Sequence, residues 1–250
     1  MILRPFLFAE TSCASYLFGC LTERKLAVVD PHERFVDAYL DEAERVGAPI
    51  VAVFETHLQA DHISGLPALL VATGAIAYLP AGSGVEFEHA ALEDGDDVPL
   101  GNTVVRALAT PGHAPAHNAY VVADRRRGDT GPWLVFTGDS LLVGDVGRPD
   151  LHAHGDARPL ARQLHGSLKR LLGLPDGVLV LPSHYGGSVC GRALSGNPFS
   201  TIGFERGHNS ALAADVDSFV RELLADLPPP PADQASIVAA NRAGIAAARV

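Results

Sequence analysis

The sequence predicts an α/β fold, in which β-sheets form the interior and helices cover them. Short apolar runs, bounded by turn-forming residues, alternate with longer stretches whose apolar residues recur every three or four positions. Hydrophobic residues make up 47% of the chain and charged residues 19%, which is enough apolar material for a sizeable core in 250 residues. Strands that alternate with helices are typical of sheets with helices packed on their outer faces.

The apolar pattern assigns each element in turn. Three short runs open the chain, and Asp30-Pro31 ends the third. The next stretch has helical spacing with an acidic outer face, and a second helix carries Pro67 in its first turn, where proline is tolerated. The predicted strands are residues 3–8, 15–19, 25–30, 50–54, 75–79, 103–109, 118–123, 133–136 and 178–181. The predicted helices are residues 35–46, 63–72, 157–172 and 210–224, and the acidic segment 86–97 is expected to be a solvated loop.

Charge and composition argue against several classes of protein. The formal net charge is −10 and no stripe of Lys and Arg is present, so binding to nucleic acid is not expected. No apolar run approaches the ~20 residues that a membrane span needs, and the N-terminus has no signal-peptide pattern. The three cysteines lack CxxC spacing, which favours a reducing compartment, with Cys13 and Cys20 in the core. We therefore expect a cytoplasmic protein without a membrane partner.

The segment THLQADHISG, residues 56–65, directly follows the predicted strand 50–54. It places His57, Asp61 and His62 within six residues, as expected for metal ligands at the C-terminal end of a buried strand. Gln59 occupies the position where a third histidine would complete the pattern HxHxDH. The predicted function depends on whether the metal site needs a histidine at this position.

Three further segments repeat this arrangement of a ligand-type side chain after an apolar run. His113 lies in TPGHAPAH, Asp139 in FTGDSLLVGDVGRPDL and His184 in LPSHYGG. Imidazole and carboxylate groups are the protein ligands of Zn, Fe and Mn. A single histidine is more often structural than a ligand, but recurrence at four strand ends is hard to explain by chance. The sequence therefore predicts a metal site built from loops that follow strands.

These four motifs, in this order over roughly residues 10–210, resemble the metallo-β-lactamase superfamily. The resemblance implies an αβ/βα sandwich, with two mixed sheets inside, helices on both outer faces and a metal site at one edge. A carboxylate at Asp139 and the segment GDVGRPDL resemble the persulfide dioxygenase (sulfur dioxygenase) branch, and glyoxalase II more distantly. The segments GGSVCG and STIGFERGHNSAL look like the metallo-β-lactamase half of persulfide dioxygenase–rhodanese fusions.

On this resemblance, residues 1–226 form the catalytic domain and residues 227–250 a proline-rich C-terminal tail, the linker or surface segment of such a chain. No rhodanese domain follows the proline run within the 250 residues, so a separate rhodanese is a candidate partner. Members of the family often form oligomers, and a homodimer is expected here.

The branch that the sequence resembles binds one Fe(II) through two histidines and an aspartate. Carried over motif by motif, these ligands are His57, His113 and Asp139, a facial triad that leaves open positions for substrate and O₂. The expected cofactor is one Fe(II) per chain. The expected reaction is oxidation of a low-molecular-weight thiol persulfide, such as glutathione persulfide, by O₂ to sulfite and thiol.

The alternative is a zinc-dependent metallo-hydrolase of thioesters or lactones, similar to glyoxalase II (hydroxyacylglutathione hydrolase). Gln59 deprives a dinuclear hydrolase of a ligand, because an amide is a weak ligand for zinc, and it leaves the iron triad whole. Asp61, His62 and His184 are retained, however. These three residues either orient the iron ligands or form a second metal site, and the sequence leaves both interpretations open.

Three further residues are candidates for substrate binding. Arg148 is expected to contact a substrate carboxylate or to support the metal loop, or else to form a buried ion pair with Asp150 or another acidic residue. Cys190 either carries sulfur as a thiolate or is a small buried cysteine, and Tyr185 either lines the pocket or packs in the core. His117 is expected to have a structural or rim role. The histidines without ligand context, expected at the surface or in structural positions, are His32, His89, His152, His154, His165 and His208.

Overall fold

The chain folds into four layers, with two β-sheets between two layers of helices. The computed structural model describes residues 1–127, 131–153, 155–188, 190–191, 194–227 and 229–244. Within these residues there are 14 strands and six α-helices, and 12 of the strands form two mixed six-stranded sheets. Helices cover the outer face of each sheet. The αβ/βα sandwich expected from the sequence is confirmed.

The first half of the sandwich combines six strands with two helices in the described part of the chain. Its elements are β1 (Ile2–Phe8), β2 (Cys13–Cys20), β3 (Lys25–Val29), α1 (Val36–Val46), β4 (Ile50–Phe54), α2 (Leu66–Thr73), β5 (Ile76–Pro80) and β6 (Ala90–Leu92). The strands lie side by side in chain order, antiparallel from β1 to β3 and parallel from β3 to β6.

The remaining described strands and α-helices follow these elements in the chain. They are β7 (Asp97–Leu100), β8 (Thr103–Ala109), β9 (Asn118–Asp124), β10 (Leu134–Gly138), β11 (Leu141–Leu142), β12 (Asp145–Val146), α3 (Arg158–Leu171), β13 (Leu179–Pro182), β14 (Ser200–Thr201), α4 (Ile202–His208), α5 (Val216–Leu223) and α6 (Gln234–Ala243). The second sheet has the order β14-β13-β10-β9-β8-β7, with β10 parallel to β13, whereas β11 and β12 form a small separate hairpin.

Apolar side chains fill the space between the layers. Phe18, Phe54 and Phe136 lie between the two sheets, and the rings of Phe18 and Phe136 are 4.9 Å apart. Tyr39 of α1 packs on the outer face of the first sheet, and Leu164 of α3 on that of the second. Burial of each such side chain contributes about 1.5–3 kcal/mol. This packing fixes the position of one sheet relative to the other. It therefore also fixes the relative positions of the loops at their edges.

Two helices begin later than the apolar pattern predicted. α2 begins at Leu66 rather than at residue 63, with Gly65 as the residue before its first turn, and the Leu66 amide donates a hydrogen bond to the Ser64 hydroxyl at 3.0 Å. α5 begins at Val216 rather than at residue 210, because the Asp215 carboxylate accepts hydrogen bonds from two amides of the first turn, both at 3.0 Å. Serine and aspartate are favoured at helix N-termini because their oxygens bond the otherwise unpaired amides.

The segment 86–97 is not the solvated loop that its acidic composition indicated. Its residues include all of β6, which has three residues and pairs with β5, and the first residue of β7. β7 forms an edge of the second sheet and carries Pro99, which an edge strand tolerates because one side of it needs no amide donor. Edge strands of three or four residues leave almost no signal in a single sequence.

The proline-rich tail contains a helix that the sequence analysis did not identify. α6 buries Ile237 and Asn241, and the Gln234 side chain donates a hydrogen bond to the Leu151 carbonyl. This helix therefore packs on the domain. Among the described helices, none has both the length and the apolar character that crossing a bilayer requires.

The two sheets meet along one edge of the sandwich. His57, in the loop after β4, forms a β-bridge with His117, which ends the loop between β8 and β9. Next to this bridge, the Asn118 amide donates a hydrogen bond to the Thr56 carbonyl at 2.9 Å. Because these contacts join a loop of the first sheet to a loop of the second, ligand-type residues from both sheets converge here.

Candidate metal centre

His57, His113 and Asp139 lie together at this edge. His57 follows β4, His113 lies between β8 and β9, and Asp139 follows β10. None of the three is more than 2% exposed. The ring centroids of His57 and His113 are 4.9 Å apart, and His113 Nε2 is 3.5 Å from Asp139 Oδ2. The three side chains predicted as ligands are therefore brought together by the fold.

The donor atoms of this group suit a metal cation. Among the described residues, no hydrogen-bond donor reaches the buried Asp139 Oδ2, which is costly unless a cation or water satisfies it. Burial and the neighbouring His113 imidazole hold the pKa of His57 well below its usual value, and burial also lowers the pKa of His113. Neutral imidazole is the form that binds metals. Two imidazoles and one carboxylate fit Fe(II), and they also fit Zn.

Asp30 and Thr56 fix the orientation of His57. The Thr56 hydroxyl donates to Asp30 Oδ2 at 2.9 Å, so it accepts a hydrogen bond from His57 Nδ1, also at 2.9 Å. This places the ring proton on Nδ1 and leaves the lone pair on Nε2 for a metal. Asp30 also accepts the Thr56 amide at 2.7 Å and the Ser183 hydroxyl. In the sequence, Asp30 indicated only the end of a strand.

His117 packs behind His57 and Asp139. Its ring stacks on that of His57 with centroids 5.1 Å apart and 21° between the planes. Its Nδ1 lies 2.8 Å from Thr110 Oγ1, and its Nε2 accepts a hydrogen bond from the Asp139 amide at 3.3 Å. Burial lowers the pKa of His117 to about 3, so the ring is neutral. His117 therefore holds the backbone of a predicted ligand.

Two glycines allow the backbone to approach these side chains. Gly138 has φ +54°, and a Cβ there would lie 2.5 Å from His117 Nε2. A Cβ on Gly147 would lie 1.9 Å from the Asp139 carbonyl oxygen and 2.9 Å from His113 Nδ1. All three distances are too short for a side chain. Gly138 and Gly147 are thus required by the packing around the predicted ligands.

Asp61, His62 and His184 form a hydrogen-bonded chain beside Asp139. His184 donates from Nδ1 to Asp139 Oδ1 and from Nε2 to Asp61 Oδ2, both at 2.7 Å. His62 Nδ1 donates to Asp61 Oδ1 at 3.0 Å. Burial lowers the pKa of His184, but the carboxylates of Asp139 and Asp61 outweigh it and raise that pKa well above its usual value. This series of hydrogen bonds holds Asp139 Oδ1 and leaves Oδ2 on the side of the His57 and His113 imidazoles.

Cys13 borders this hydrogen-bonded chain, although the sequence indicated only a core position. Its Sγ lies 3.4 Å from His184 Nε2 and 3.7 Å from His62 Nδ1. Burial raises the pKa of the Cys13 thiol, but the combined effect of His184 and His62 is larger. The pKa is therefore lowered to about 7. Donor atoms of Cys13, Asp61, His62 and His184 all lie within 4.8 Å of one another, so these residues could also hold a metal ion.

Gln59 takes part in a separate buried network. Its Nε2 donates to Glu55 Oε2 at 3.3 Å, and the Ser64 hydroxyl donates to the other oxygen of Glu55. Gln59 is 1% exposed and lines a small cavity with Glu55, Ser64 and Phe87. The glutamine that interrupts the HxHxDH pattern is therefore engaged by Glu55, four residues earlier in the chain.

Asn241 of α6 binds the backbone of the ligand loop at three points. Its Nδ2 donates to the carbonyl oxygens of Gln59 at 3.0 Å and His62 at 2.9 Å. Its Oδ1 accepts the Ser64 amide at 2.9 Å. The C-terminal helix therefore secures the loop that carries His57, Asp61 and His62. A lone Asn beyond a proline-rich stretch gave no sequence signal for this role.

Two of the three residues predicted to bind substrate, Arg148 and Cys190, are buried. Arg148 is 1% exposed and pairs with both oxygens of Asp150, at 2.8 and 2.5 Å. This ion pair is one of the alternatives that the sequence leaves open for Arg148. Cys190 is 2% exposed, close to Asp139, and burial raises the pKa of its thiol. Tyr185 is partly buried and packs against the core between the sheets.

His152, which had no ligand context in the sequence, lies at the mouth of the centre. Its ring centroid is 5.2 Å from that of His113 and 5.9 Å from that of His57. His152 also lines a cavity of about 520 Å³, whose other walls include Leu58 and Arg242. The cavity therefore adjoins the group formed by His57, His113 and Asp139. No apolar strand precedes His152, which explains why the strand-end pattern missed it.

Known proteins resemble the chain along most of its length. The persulfide dioxygenase ETHE1 of Bos taurus, a mitochondrial protein, is 28% identical over 244 residues, which cover 96% of this chain and 87% of that protein. A hydroxyacylglutathione hydrolase of Pseudomonas entomophila is 35% identical over 170 residues, 68% of this chain and 60% of that protein. The crystal structure of ETHE1 from Myxococcus xanthus is 33% identical and has a TM-score of 0.84, covering 97% of this chain and 99% of that one.

The family comparison agrees with the geometry. Residues 9–184 match the model of the metallo-β-lactamase superfamily, and this span contains all the predicted ligands at strand ends, from His57 to His184. The layered fold and the cluster of His and Asp side chains at one edge of the sheets are what the sequence motifs predicted for this family. The chain belongs to the metallo-β-lactamase superfamily.

Proposed function

We propose that this protein is an Fe(II)-dependent persulfide dioxygenase that binds one iron through His57, His113 and Asp139. The observation that carries this proposal is the donor set: two neutral imidazoles face a buried carboxylate oxygen that has no donor among the described residues. The remaining carboxylate oxygen is already bonded to His184. The similarity to the persulfide dioxygenase ETHE1 of Bos taurus and to the structure of ETHE1 from Myxococcus xanthus supports the same assignment.

The proposed reaction consumes a thiol persulfide, O₂ and water and yields thiol, sulfite and two protons (RSSH + O₂ + H₂O → RSH + SO₃²⁻ + 2 H⁺). The outer sulfur atom is oxidised and O₂ is reduced, while the sulfur–sulfur bond breaks. When bound, the iron would supply open coordination positions for sulfur and O₂ and transfer electron density between them.

The chain's own residues prepare the ligands for this chemistry. Asp30, through the Thr56 hydroxyl, keeps the ring proton of His57 on Nδ1. His184 bonds Asp139 Oδ1 and leaves Oδ2 for the metal, and His117 holds the Asp139 amide. Partners of this kind typically raise metal affinity about 10- to 100-fold. The ligands are therefore held in place before a metal binds.

A second candidate function is zinc-dependent hydrolysis of a thioester or lactone. Cys13, Asp61, His62 and His184 have donor atoms within 4.8 Å of one another, so a second metal has possible ligands. The similarity to hydroxyacylglutathione hydrolases favours the same chemistry. Against it, Gln59 stands where a dinuclear hydrolase has a histidine, and its side chain is bonded to Glu55.

Oxygen uptake with a defined substrate tests the proposal. The protein is loaded with Fe(II) without oxygen, excess metal is removed, and glutathione persulfide is added to air-saturated buffer. We expect one iron per chain, and one sulfite formed per O₂ consumed. A parallel sample with two zinc ions per chain receives a thioester of glutathione. Thioester cleavage by that sample, without O₂ uptake by the iron-loaded one, would overturn the dioxygenase assignment in favour of the hydrolase.

We also place the protein in a reducing compartment such as the cytoplasm. Cys13, Cys20 and Cys190 are all buried and unpaired with one another. Free cysteines are typical of compartments that keep thiols reduced, which are also the compartments that contain thiol substrates.

A further inference from the structure

His152 forms a group of three histidines with His57 and His113. One ring nitrogen from each residue lies within 4.8 Å of those from the other two. Two nitrogen ligands of one zinc ion, each about 2.0–2.1 Å from it, lie at most about 4.2 Å apart, so shifts of less than about 1 Å would bring all three nitrogens to one ion. The three imidazoles are therefore close enough to share a metal.

The orientation of the three rings suits ligands better than it suits packing. The plane of His152 makes an angle of 72° with that of His113 and 80° with that of His57, and the planes of His57 and His113 make an angle of 87°. By contrast, His117 stacks face to face on His57, with 21° between the planes. Rings that meet at steep angles can direct their edges, which carry the nitrogens, toward a common point.

Contacts on both sides hold the short turn that carries His152. The buried Arg148 guanidinium pairs with the Asp150 carboxylate at 2.8 and 2.5 Å. On the other side, the Gln234 side chain of α6 donates a hydrogen bond to the Leu151 carbonyl. Asp150 and Leu151 directly precede His152 in the turn. The imidazole is therefore held beside the centre before a metal binds, which lowers the entropic cost of coordination.

A third imidazole is also what the ligand loop lacks. Gln59 occupies the position where a histidine would complete the pattern HxHxDH, and its amide donates to Glu55 at 3.3 Å. An amide is a weak ligand beside imidazoles. His152 belongs to a different loop, yet it approaches His57 and His113 closely enough to supply the missing nitrogen.

We propose that His152 is a ligand of the metal and replaces, from another loop, the histidine that is absent at Gln59. This inference rests on the proposed function and adds one protein ligand to His57, His113 and Asp139. Four protein ligands would leave two open positions on a six-coordinate Fe(II), enough for one sulfur atom and O₂.

Metal affinity distinguishes a ligand from a hydrogen-bonding neighbour. Glutamine at position 152 retains a polar side chain that can form hydrogen bonds, but it is a poor ligand. We expect His152→Gln and His152→Ala to weaken Fe(II) binding equally, by more than about 100-fold, which exceeds the effect of outer hydrogen-bond partners. Competition with a chelator in the absence of O₂ measures this. A smaller loss in His152→Gln would overturn the inference, because hydrogen bonding at this position would then suffice.

The matched control is His208→Gln, which makes the same exchange at an exposed histidine of α4. It should bind Fe(II) as tightly as wild type. All three variants without metal should unfold at the wild-type denaturant concentration, because His152 is only partly buried and His208 is exposed. An equal loss of affinity in His208→Gln would also overturn the inference, because the effect would then not depend on His152.

X-ray absorption of the zinc-loaded full chain counts the imidazole ligands without any assay of activity. With one zinc ion per chain, we expect three imidazoles in the wild type and in His208→Gln, and two in His152→Gln. The same number in the wild type and in His152→Gln would show that His152 is not a ligand. If His152→Gln loses one imidazole but the iron-loaded wild type takes up no O₂ with any persulfide, the dioxygenase function fails and the assignment of His152 stands.

Discussion

Asp139 has the most constrained side chain of the centre. One oxygen accepts a hydrogen bond from His184 Nδ1 at 2.7 Å, and the other lies 3.5 Å from His113 Nε2. Its amide donates to His117, so both its backbone and its carboxylate are held. Burial raises the pKa of Asp139, but His184 above all, and then His113 and His57, lower it below its usual value. The group is therefore a carboxylate, ready to bind a cation, throughout the physiological pH range.

We expect Asp139→Ala to reduce bound iron from one per chain to less than about a tenth, because it removes the only carboxylate of the proposed triad. The iron content after anaerobic loading and desalting, measured by mass spectrometry, checks this. Asp156→Ala changes an exposed aspartate and should bind iron like wild type. Stoichiometric iron in Asp139→Ala would show that the triad is assigned to the wrong residues.

A second prediction at the residue scale tests whether Gln59 is itself a metal ligand. Because its amide is bonded to Glu55, we expect Gln59→His to bind one iron with an affinity within about tenfold of wild type. An imidazole of similar size can bond the same carboxylate. Titration of Fe(II) and of Zn into both proteins, followed by metal analysis, measures this. Loss of iron on substitution by histidine would indicate that the glutamine itself is a ligand, whereas a second bound zinc would indicate a restored dinuclear site.

At the scale of secondary structure, the strands deliver the ligands and α6 holds them. Each predicted ligand follows a strand: His57 follows β4, His113 follows β8 and Asp139 follows β10. His184, a candidate for the second site, follows β13. Strand ends are rigid because their backbones are paired on both sides, so the loops begin from fixed points. The loop after β4 is further tied to α6 by Asn241.

We expect Asn241→Ala to weaken iron binding about 10- to 100-fold and to destabilise the fold by about 1–3 kcal/mol. The reason is that the Ser64 amide and the carbonyl oxygens of Gln59 and His62 would lose their buried partner. Metal titration and chemical denaturation of the metal-free protein measure the two effects separately. Ser236→Ala, at an exposed position of the same helix, is the control. Unchanged iron affinity in Asn241→Ala would mean that α6 does not position the ligand loop.

At the scale of the whole molecule, the predicted ligands connect the two sheets. His57 comes from the first sheet, whereas His113 and Asp139 come from the second. A metal held by all three would link the halves of the sandwich, which are otherwise joined, among the described residues, by β-bridges, hydrogen bonds and side-chain packing. Metal binding should therefore stabilise the global fold, because separation of the sheets destroys the site.

A metal ion at 100 times its dissociation constant should add about 2.7 kcal/mol to the free energy of unfolding. For a domain of this size, that corresponds to a rise of roughly 5–10 °C in Tm. Differential scanning calorimetry without oxygen, with and without Fe(II), measures this shift. Asp139→Ala should show no rise. An equal rise in that variant would indicate that the stabilising metal is bound elsewhere.

The sequence by itself predicted the layered fold and most of the helices and strands. It also identified His57, His113, Asp139 and His184 as ligand-type residues that follow strands. Apolar periodicity and ligand-type side chains at strand ends are local patterns, and one chain displays them directly. Even here the short edge strands β6 and β7 were missed, because pairing with a neighbouring strand, not local composition, forms them.

Only the tertiary structure decided which partners these residues have. It buried the side chains of Arg148 and Gln59, bound Asn241 to the loop that carries His62, and placed Arg242 on the wall of a pocket. The physical reason is that burial, hydrogen-bond partners and pocket walls arise from contacts between residues far apart in the chain. Asn241 lies 179 residues from the His62 carbonyl that it binds, and no local pattern encodes that distance.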